Sequence, residues 1–338
     1  MSAFRILVRG TGVQPAIIAV LLARWCKGPD TIVTLDFDKE AVAGGLALLR
    51  PSVYRFHREI GLSPADLDRV GGVAATLTQA APDIALPFEP FGLPRNGVDF
   101  HQHWLRSRAL GKVSGIAAYS PSFALARLSL AIDCRQAERM PYSTGIMVDA
   151  ARYSGLLADC LFNFGGERSD GGAQAAADLT IDCSEVQRVS CWKGDTIKVA
   201  SSGRIPGMEA HVALEAARRW LALTAKPGES AAEEREFNRL CEAETDRIRD
   251  MEDLVHSPDP ATTARPALAR KIAVFSACGR VPLEDYEVFA QHEWIAALLA
   301  RGFQPARHDR LADVLPEAEL LSWLAELRRN LEPRGEAA

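Results

Sequence analysis

The sequence is most easily bounded by what it lacks. Its longest apolar stretches, such as residues 17–25, fall well short of the roughly 20 residues a membrane-spanning helix needs. The N-terminus carries no signal-peptide core, so the expectation is a cytoplasmic protein that neither crosses nor lies on a membrane. No run of lysine or arginine occurs, and 39 basic against 44 acidic residues give a net charge of −5, which removes any electrostatic case for nucleic acid. The seven cysteines, at 26, 134, 160, 183, 191, 241 and 278, are odd in number and never spaced C-x-x-C. That argues against a disulfide framework and a zinc site and fits a reducing compartment, with the thiols acting as small core hydrophobes. Nucleophile-elbow, Walker A and H-E-x-x-H motifs are all missing, as is any internal repeat.

What is present begins at once. Ile6, Leu7 and Val8 form a short apolar run that stops at Gly10-Thr11-Gly12, as a buried parallel strand entering a turn would. Pro15 stands where a first-turn proline is tolerated, and Ile17, Ile18, Val20, Leu21 and Leu22 give the following helix a wide apolar face. Gly28-Pro29 ends it, and residues 31–35 supply a second strand that runs into Asp36. Such a βαβ unit aims glycine-turn amides and a helix N-terminus at a pyrophosphate, while an acid after the second strand takes ribose hydroxyls. Gly10, Gly12 and Asp36 are therefore the candidate cofactor-binding residues, although Pro15 occupies the place of the third glycine. A nicotinamide dinucleotide is the alternative occupant.

Further along, residues 41–49 read as helical, and residues 51–61 as a helix with Val53, Phe56 and Ile60 on one side. Ser63-Pro64-Ala65-Asp66 is a capping box with proline at the first helical position. Four prolines and two glycines make residues 80–97 a loop. Residues 177–183 read as a strand ending at Asp182, and 188–202 as a strand or hairpin around Ile197. The remainder is helical: 209–225, a long helix capped by Ser230 and carrying Phe237 to Val255, then 284–301 and 317–330, with Gly302 as a C-cap before Pro305. The order implies an α/β domain over 1–225 and a mostly helical region over 226–338.

Other candidates are weaker. His101 and His103 would share a face on a strand, as a metal pair does, but no third ligand has motif spacing. His57, beside Phe56, suits packing better than catalysis. Cys183 follows a strand end without a neighbouring cation to activate it. Trp220, Trp294 and Trp323 fit core positions.

Taken in order, these segments resemble the flavin-dependent tryptophan halogenases, relatives of the single-component flavin monooxygenases. Gly10-x-Gly12 and Asp36 match the FAD fingerprint and ribose acid. Pro51-Ser-x-x-x-Phe-His57-x-x-x-Gly61, Asp99-Phe-His101, Pro141 through Asp149 and Ala177-Asp-Leu-x-Ile-Asp182-Cys match successive family segments, the second and third of them its middle strands. Phe237-Asn238, Ile248-Arg249-Asp250, His256, Phe289 with Trp294, Gly302-Phe-Gln-Pro305 and His308 match the C-terminal part. The resemblance implies a Rossmann-like FAD-binding domain of flavin-monooxygenase type, FAD taken up as reduced flavin, a flavin reductase or other partner protein, and an aromatic small-molecule substrate.

The departures are as informative. The family's reactive lysine falls in a T/S-x-K context where this chain has Ala75-Thr-Leu-Thr78, and no lysine occurs between Lys39 and Lys112. A threonine supplies neither an ammonium donor nor an amine nucleophile. Residues 44–50 replace the family's glutamate-containing loop without a glutamate, and Glu185 replaces a glycine expected near the flavin. The family's W-x-W-x-I-P segment is not found. Glu209, in Pro206-Gly-Met-Glu-Ala, is the one carboxylate at a motif position and the candidate catalytic residue, with a solvated first-turn glutamate as the competing reading. The sequence thus supports either an FAD-dependent oxidoreductase, monooxygenase- or halogenase-like, with the missing lysine arguing against halogenation, or a non-catalytic binding or regulatory relative.

Overall fold

In the computed structural model the described residues are 3–26, 28, 30–36, 45–112, 114–128, 131–169, 177–184, 188–200, 203–224 and 231–332. The chain opens β1 (Phe4–Gly10), α1 (Gln14–Trp25), β2 (Thr31–Asp36) and β3 (Leu46–Leu49). It continues through α2 (Val53–Ile60), α3 (Pro64–Arg69), β4 (Val73–Ala75), β5 (Leu77–Ala81) and β6 (Ile84–Pro87). Next come α4 (Phe100–Ala109), a 3-10 turn (Ile116–Tyr119), α5 (Pro121–Arg127) and α6 (Cys134–Glu138). Then follow β7 (Gly145–Asp149), α7 (Ala150–Asn163), β8 (Glu167–Ser169), β9 (Leu179–Cys183), β10 (Cys191–Lys193) and β11 (Thr196–Lys198). The rest is helical: α8 (Met208–Leu223), α9 (Ala231–His256), α10 (Pro260–Thr263), α11 (Pro266–Cys278), α12 (Gln291–Ala300) and α13 (Glu317–Leu331). The expected α/β class with a largely helical C-terminal region is the one observed.

Two compact units divide these elements. The first takes residues 1–74, 132–139 and 145–246, and is built on a six-stranded sheet ordered β10-β11-β9-β1-β2-β8. Every pairing in it is parallel except β10 with β11. Ile6, Leu7 and Val8 of β1 are all buried, so both faces of the strand are covered, which explains the unalternating apolar run. α1 is buried along Gln14–Ala23, against β2, α7 and α8, and so is apolar all round rather than on one stripe. Each of its isoleucines and leucines contributes about 1.5–3 kcal/mol by burial, an upper estimate. A smaller sheet, ordered β3-β7-β4, completes this unit.

The second unit takes residues 75–131, 140–144 and 247–338. β5 and β6 form an antiparallel hairpin with an irregularity between Gln79 and Ala81. α12 packs on β6, and Trp294 of α12 is wholly buried beside the edge of Phe289. Lys271 of α11 is also fully buried. Its Nζ donates to the Pro282 carbonyl at 2.9 Å and to Glu287 Oε2 at 2.8 Å, and lies 5.0 Å from the centre of the Trp294 ring.

Several expectations are corrected. Leu46–Leu49 is a strand, because it pairs antiparallel with β7 from Leu46↔Asp149 to Leu49↔Ile146; residues 41–44 lie outside the described part, as do Ser230 and Glu185. The proline-rich stretch expected as loop holds most of the β5–β6 hairpin, since Pro87 sits at a strand end. Residues 284–290 are not helical: α12 begins only at Gln291, where Glu293 closes back on the Ala290 amide. α11 went unread, although Pro266 at its start and Gly279 as its left-handed C-cap are standard boundary signals. Among the described residues no helix is long and apolar enough to cross a membrane, and all seven cysteines are free.

Candidate functional site

The carboxyl ends of β2, β1 and β9 lie side by side, and they carry the residues singled out from the sequence. Arg9 is in register with Asp36 on one side and Asp182 on the other, and Gly10 is in register with Cys183. Gly10 has φ +140°, and a Cβ built there would stand 2.7 Å from the carbonyl carbon of Cys183. Glycine is needed here because β1 and β9 approach too closely for a side chain. Gly12 has φ +77° with nothing within 4 Å of a Cβ, so its requirement is conformational and the space beside it is open.

The turn delivers the chain into α1. Val13 at the N-cap offers no side-chain hydrogen bond, and the first turn contains no acid. Pro15 in the first turn has no N–H, so of the two amides an Asp, Ser or Thr cap would satisfy only that of Ala16 exists, and the Val13 side chain does not cap it. The turn is held from behind by the buried Ser154, whose Oγ donates to the Gly12 carbonyl at 3.2 Å. Gln14, also buried, donates through Nε2 to the carbonyls of Ala200 (2.9 Å) and Glu209 (3.3 Å). This clamp brings the first turn of α8, and with it Glu209, to the start of α1. The Glu209 side chain is itself exposed, in the position the helix dipole favours. Gly207, at φ +88°, precedes α8 because a Cβ there would stand 2.8 Å from Cγ of the buried Arg50.

At the sheet edge Arg9 donates to Asp182 Oδ2 through Nε (3.0 Å) and a terminal nitrogen (2.6 Å). Burial raises the Asp182 carboxyl, but the Ser184 amide and hydroxyl and the Arg9 guanidinium outweigh it and hold the group below the usual carboxylate range. Sequence reasoning missed Gln14, Ser154 and Arg9. An arginine at the end of an apolar strand was the available signal for the last.

The other candidates resolve into packing. His101 and His103 lie on α4, not on a strand; two residues apart on a helix they point roughly 200° apart and cannot share a ligand. His101 Nε2 meets the Gly279 carbonyl at 2.8 Å, and His103 Nε2 meets the Arg95 carbonyl at 3.1 Å. Burial lowers both imidazoles, and no group of ligating side chains able to hold a metal occurs among the described residues. His57 is buried with Nε2 2.8 Å from the Tyr153 hydroxyl, and burial pushes its pKa down to about 3, so it is neutral. The Cys183 thiol is pushed well above its ordinary value by burial and by Asp182, which makes it inert. Trp220 and Trp294 are buried, whereas Trp323 is half-buried and covered by Arg95.

Where the family lysine is expected, Thr78 is fully buried and Thr76 Oγ1 donates to the Ser122 carbonyl at 3.0 Å. The second unit contains two lysines, Lys112 and Lys271, and both are ion-paired, to Glu317 and Glu287.

Residues 168–317 match the family model for tryptophan halogenase. No curated protein matches the chain by sequence. Among solved structures, Xcc4156, a flavin-dependent halogenase from Xanthomonas campestris, is similar with a TM-score of 0.81 at 17% identity, over 98% of this chain and 95% of that one. BrvH, a flavin-dependent halogenase from Brevundimonas sp. BAL3, gives 0.79 at 16% identity over 97% and 96% of the two chains. The tryptophan 6-halogenase SttH from Streptomyces toxytricini gives 0.75 at 11% identity over 97% and 96%. At these identities the structural likeness concerns the fold, and the family model supplies the sequence link. Residues 168–317 thus match the tryptophan halogenase family model, and nearly the whole chain is similar in fold to flavin-dependent halogenases of known structure.

Proposed function

We propose that the chain binds FAD at the start of α1 and acts in the cytoplasm as a flavin-dependent oxidoreductase on an aromatic small molecule, without halogenating activity. The observation that carries this is the turn from Gly10 to Val13: two glycines at positive φ, open space beside Gly12, and a helix N-terminus with neither side-chain cap nor acidic first turn. Those features suit a pyrophosphate, whose charge the helix dipole and amides uncapped by the Val13 side chain favour. Gly10 and Gly12 would let the backbone approach it, and Asp36 would take the ribose hydroxyls. The bound flavin would supply the oxidation chemistry. Glu209, brought to the same end of α1 by Gln14, would hold or accept a proton near the substrate. Reduced flavin would be delivered by a flavin reductase.

Halogenation is set aside on chemistry. The Ala75–Thr78 stretch offers hydroxyls that are buried or bonded, and both lysines of the second unit are already engaged by carboxylates. The same observation favours a second reading, a non-catalytic relative that keeps the scaffold for binding or regulation. The division into an α/β region 1–225 and a helical region 226–338 is retained only as a proposal about how the sequence divides in function.

Anaerobic titration with FADH2, and aerobic titration with FAD, separates the readings. Saturable binding of either, weakened about tenfold or more by Gly12→Asp, is the expected result, because a carboxylate at the helix start opposes a diphosphate. Aspartate tolerates a left-handed φ, so the thermal midpoint should move little. Failure to bind either redox state sinks the flavin reading and leaves the non-catalytic one. Equal competition by NADH would instead assign a nicotinamide dinucleotide. With FADH2, oxygen, bromide and tryptophan, mass spectrometry should find no brominated product; finding one overturns the exclusion of halogenation.

A further inference from the structure

The second unit carries three adjoining surface grooves of about 330–390 Å³ each. The first runs along α13 and has Lys112, Arg328 and Arg329 above a floor of Leu321 and Leu324. It shares Ser114 with the second, which is lined by Trp104, Arg108, Ile116 and Leu299. The second shares Arg108 and Gln304 with the third, where Arg307 and His308 stand beside Pro305.

Five full cations thus line one continuous strip with no carboxylate among its lining residues, on a chain whose net charge is −5. The cations are lightly held. Lys112 pairs with Glu317 at 2.7 Å and Arg328 with Glu332 at 2.9 Å, in both cases with the two side chains about half exposed. Exposed pairs of that kind contribute about 0–1 kcal/mol and exchange readily for an incoming carboxylate. Among the described residues Arg108 bonds only the neutral Gln304 side chain, and it lies over the Trp104 ring, 5.5 Å from its centre. Arg329 has no ion-pair partner among the described residues. Between the charges the floor is aliphatic or aromatic, a surface that a phosphate backbone would leave unused.

We propose that this strip is a docking surface for an acidic, leucine-containing peptide segment of a partner protein. Carboxylates of the segment would meet Arg329, Arg108 and Arg307, and its aliphatic side chains would cover the Leu321–Leu324 and Ile116–Leu299 floors. Charge complementarity would orient and speed the encounter, and the apolar floor would supply the shape-dependent part of the affinity. The proposal is independent of the flavin reading, since it needs no cofactor and its test reads binding alone.

Fluorescence anisotropy with a short fluorescein-labelled peptide of alternating Glu and Leu tests it on the full chain. Saturable binding that weakens as salt rises is expected. Arg307→Glu/Arg329→Glu should weaken it by about tenfold or more, and Arg307→Lys/Arg329→Lys should retain most of it. Both side chains are exposed, so the double reversal should leave the thermal midpoint within a few degrees of the parent. A Gln/Leu peptide and a Glu/Ser peptide should each bind more weakly than Glu/Leu. No saturable binding, equal binding by the charge-reversed protein, or equal affinity for a single-stranded DNA oligonucleotide of similar charge would overturn the proposal, the last by making the strip a general polyanion surface.

Discussion

The carboxyl edge of the first unit's sheet and the interior beside α11 in the second unit both hold a cation against a carboxylate, and they hold them in opposite ways. At the sheet edge Arg9 is 50% exposed while its partner Asp182 is 4% exposed, so one member of the pair stays in water. Beside α11 the Lys271 side chain is 0% exposed and Glu287 9%, and the ammonium is closed in by a carbonyl, a carboxylate and an indole face. An arginine at a wet edge can turn toward an incoming anion at small cost. A buried lysine cannot leave its carboxylate without stranding a charge in a low-dielectric interior. The Arg9 guanidinium at the sheet edge therefore remains open to solvent, whereas the second unit's internal amine belongs to the architecture, even though a lysine is what halogenating chemistry would need.

The most severe way to test that distinction is Lys271→Met. It should cost about 3–5 kcal/mol, since Glu287 would be left buried without its cation. Urea denaturation reads the loss, and Lys271→Met/Glu287→Leu should recover most of it. A single variant that kept full stability but changed the reaction of a flavin-loaded protein would make Lys271 a functional amine and erase the contrast.

The next largest effect belongs to the sheet edge itself. Gly10→Ala forces a Cβ to within 2.7 Å of the Cys183 backbone at φ +140°, and overpacking with backbone strain should together cost about 3 kcal/mol. Gly12→Ala meets open space and carries only the left-handed backbone penalty of about 1–2 kcal/mol. Equal losses at the two positions would mean that the opening beside Gly12 does not exist in solution.

Much of this edge was legible in the sequence, because local rules dictate it: Ile6 to Val8, the glycines, Pro15 and Asp36 each occupy positions that strand burial, turn geometry and helix entry prescribe. Capping at Ser63 and Asp66 was equally readable and forms as a reciprocal pair. What escaped depends on long-range partners. Nothing near Leu46 in sequence announces that β7, a hundred residues later, will take it as a strand neighbour. His101 and His103 alternate as strand residues would, but a helix forms there, with Trp104, Phe100 and Leu105 in the core. The clamp from Gln14 to Ala200 and Glu209 spans almost 200 residues, and no local pattern could have revealed it.

The first unit also has a closed polar site, which gives the comparison an internal control. His57 is neutral in the folded protein, with its pKa pushed down to about 3 by burial. The unfolded chain takes up that proton below about 6.5, so the contribution is complete above pH 6.5 and is lost as pH falls from there toward 3. At pH 5 the loss should approach 2 kcal/mol. His57→Phe should flatten the slope of stability against pH between 5 and 6.5. It also strands the Tyr153 hydroxyl, so the slope, not the absolute stability, is the reading to take. An unchanged slope would mean that His57 titrates in the fold and that this interior is wetter than the geometry implies.

The smallest effect should come from Arg9→Met. Half of the arginine already lies in water, so the lost pair should cost less than about 1 kcal/mol in urea denaturation. Asp182 keeps the bonds from the Ser184 amide at 2.9 Å and hydroxyl at 2.5 Å, which hold its charge without help from Arg9. Its carboxyl, followed by NMR titration, should rise only part of the way toward the ordinary aspartate value. A stability loss as large as that of Lys271→Met would place Arg9 among the buried structural charges, and the two pairs would then no longer differ in kind.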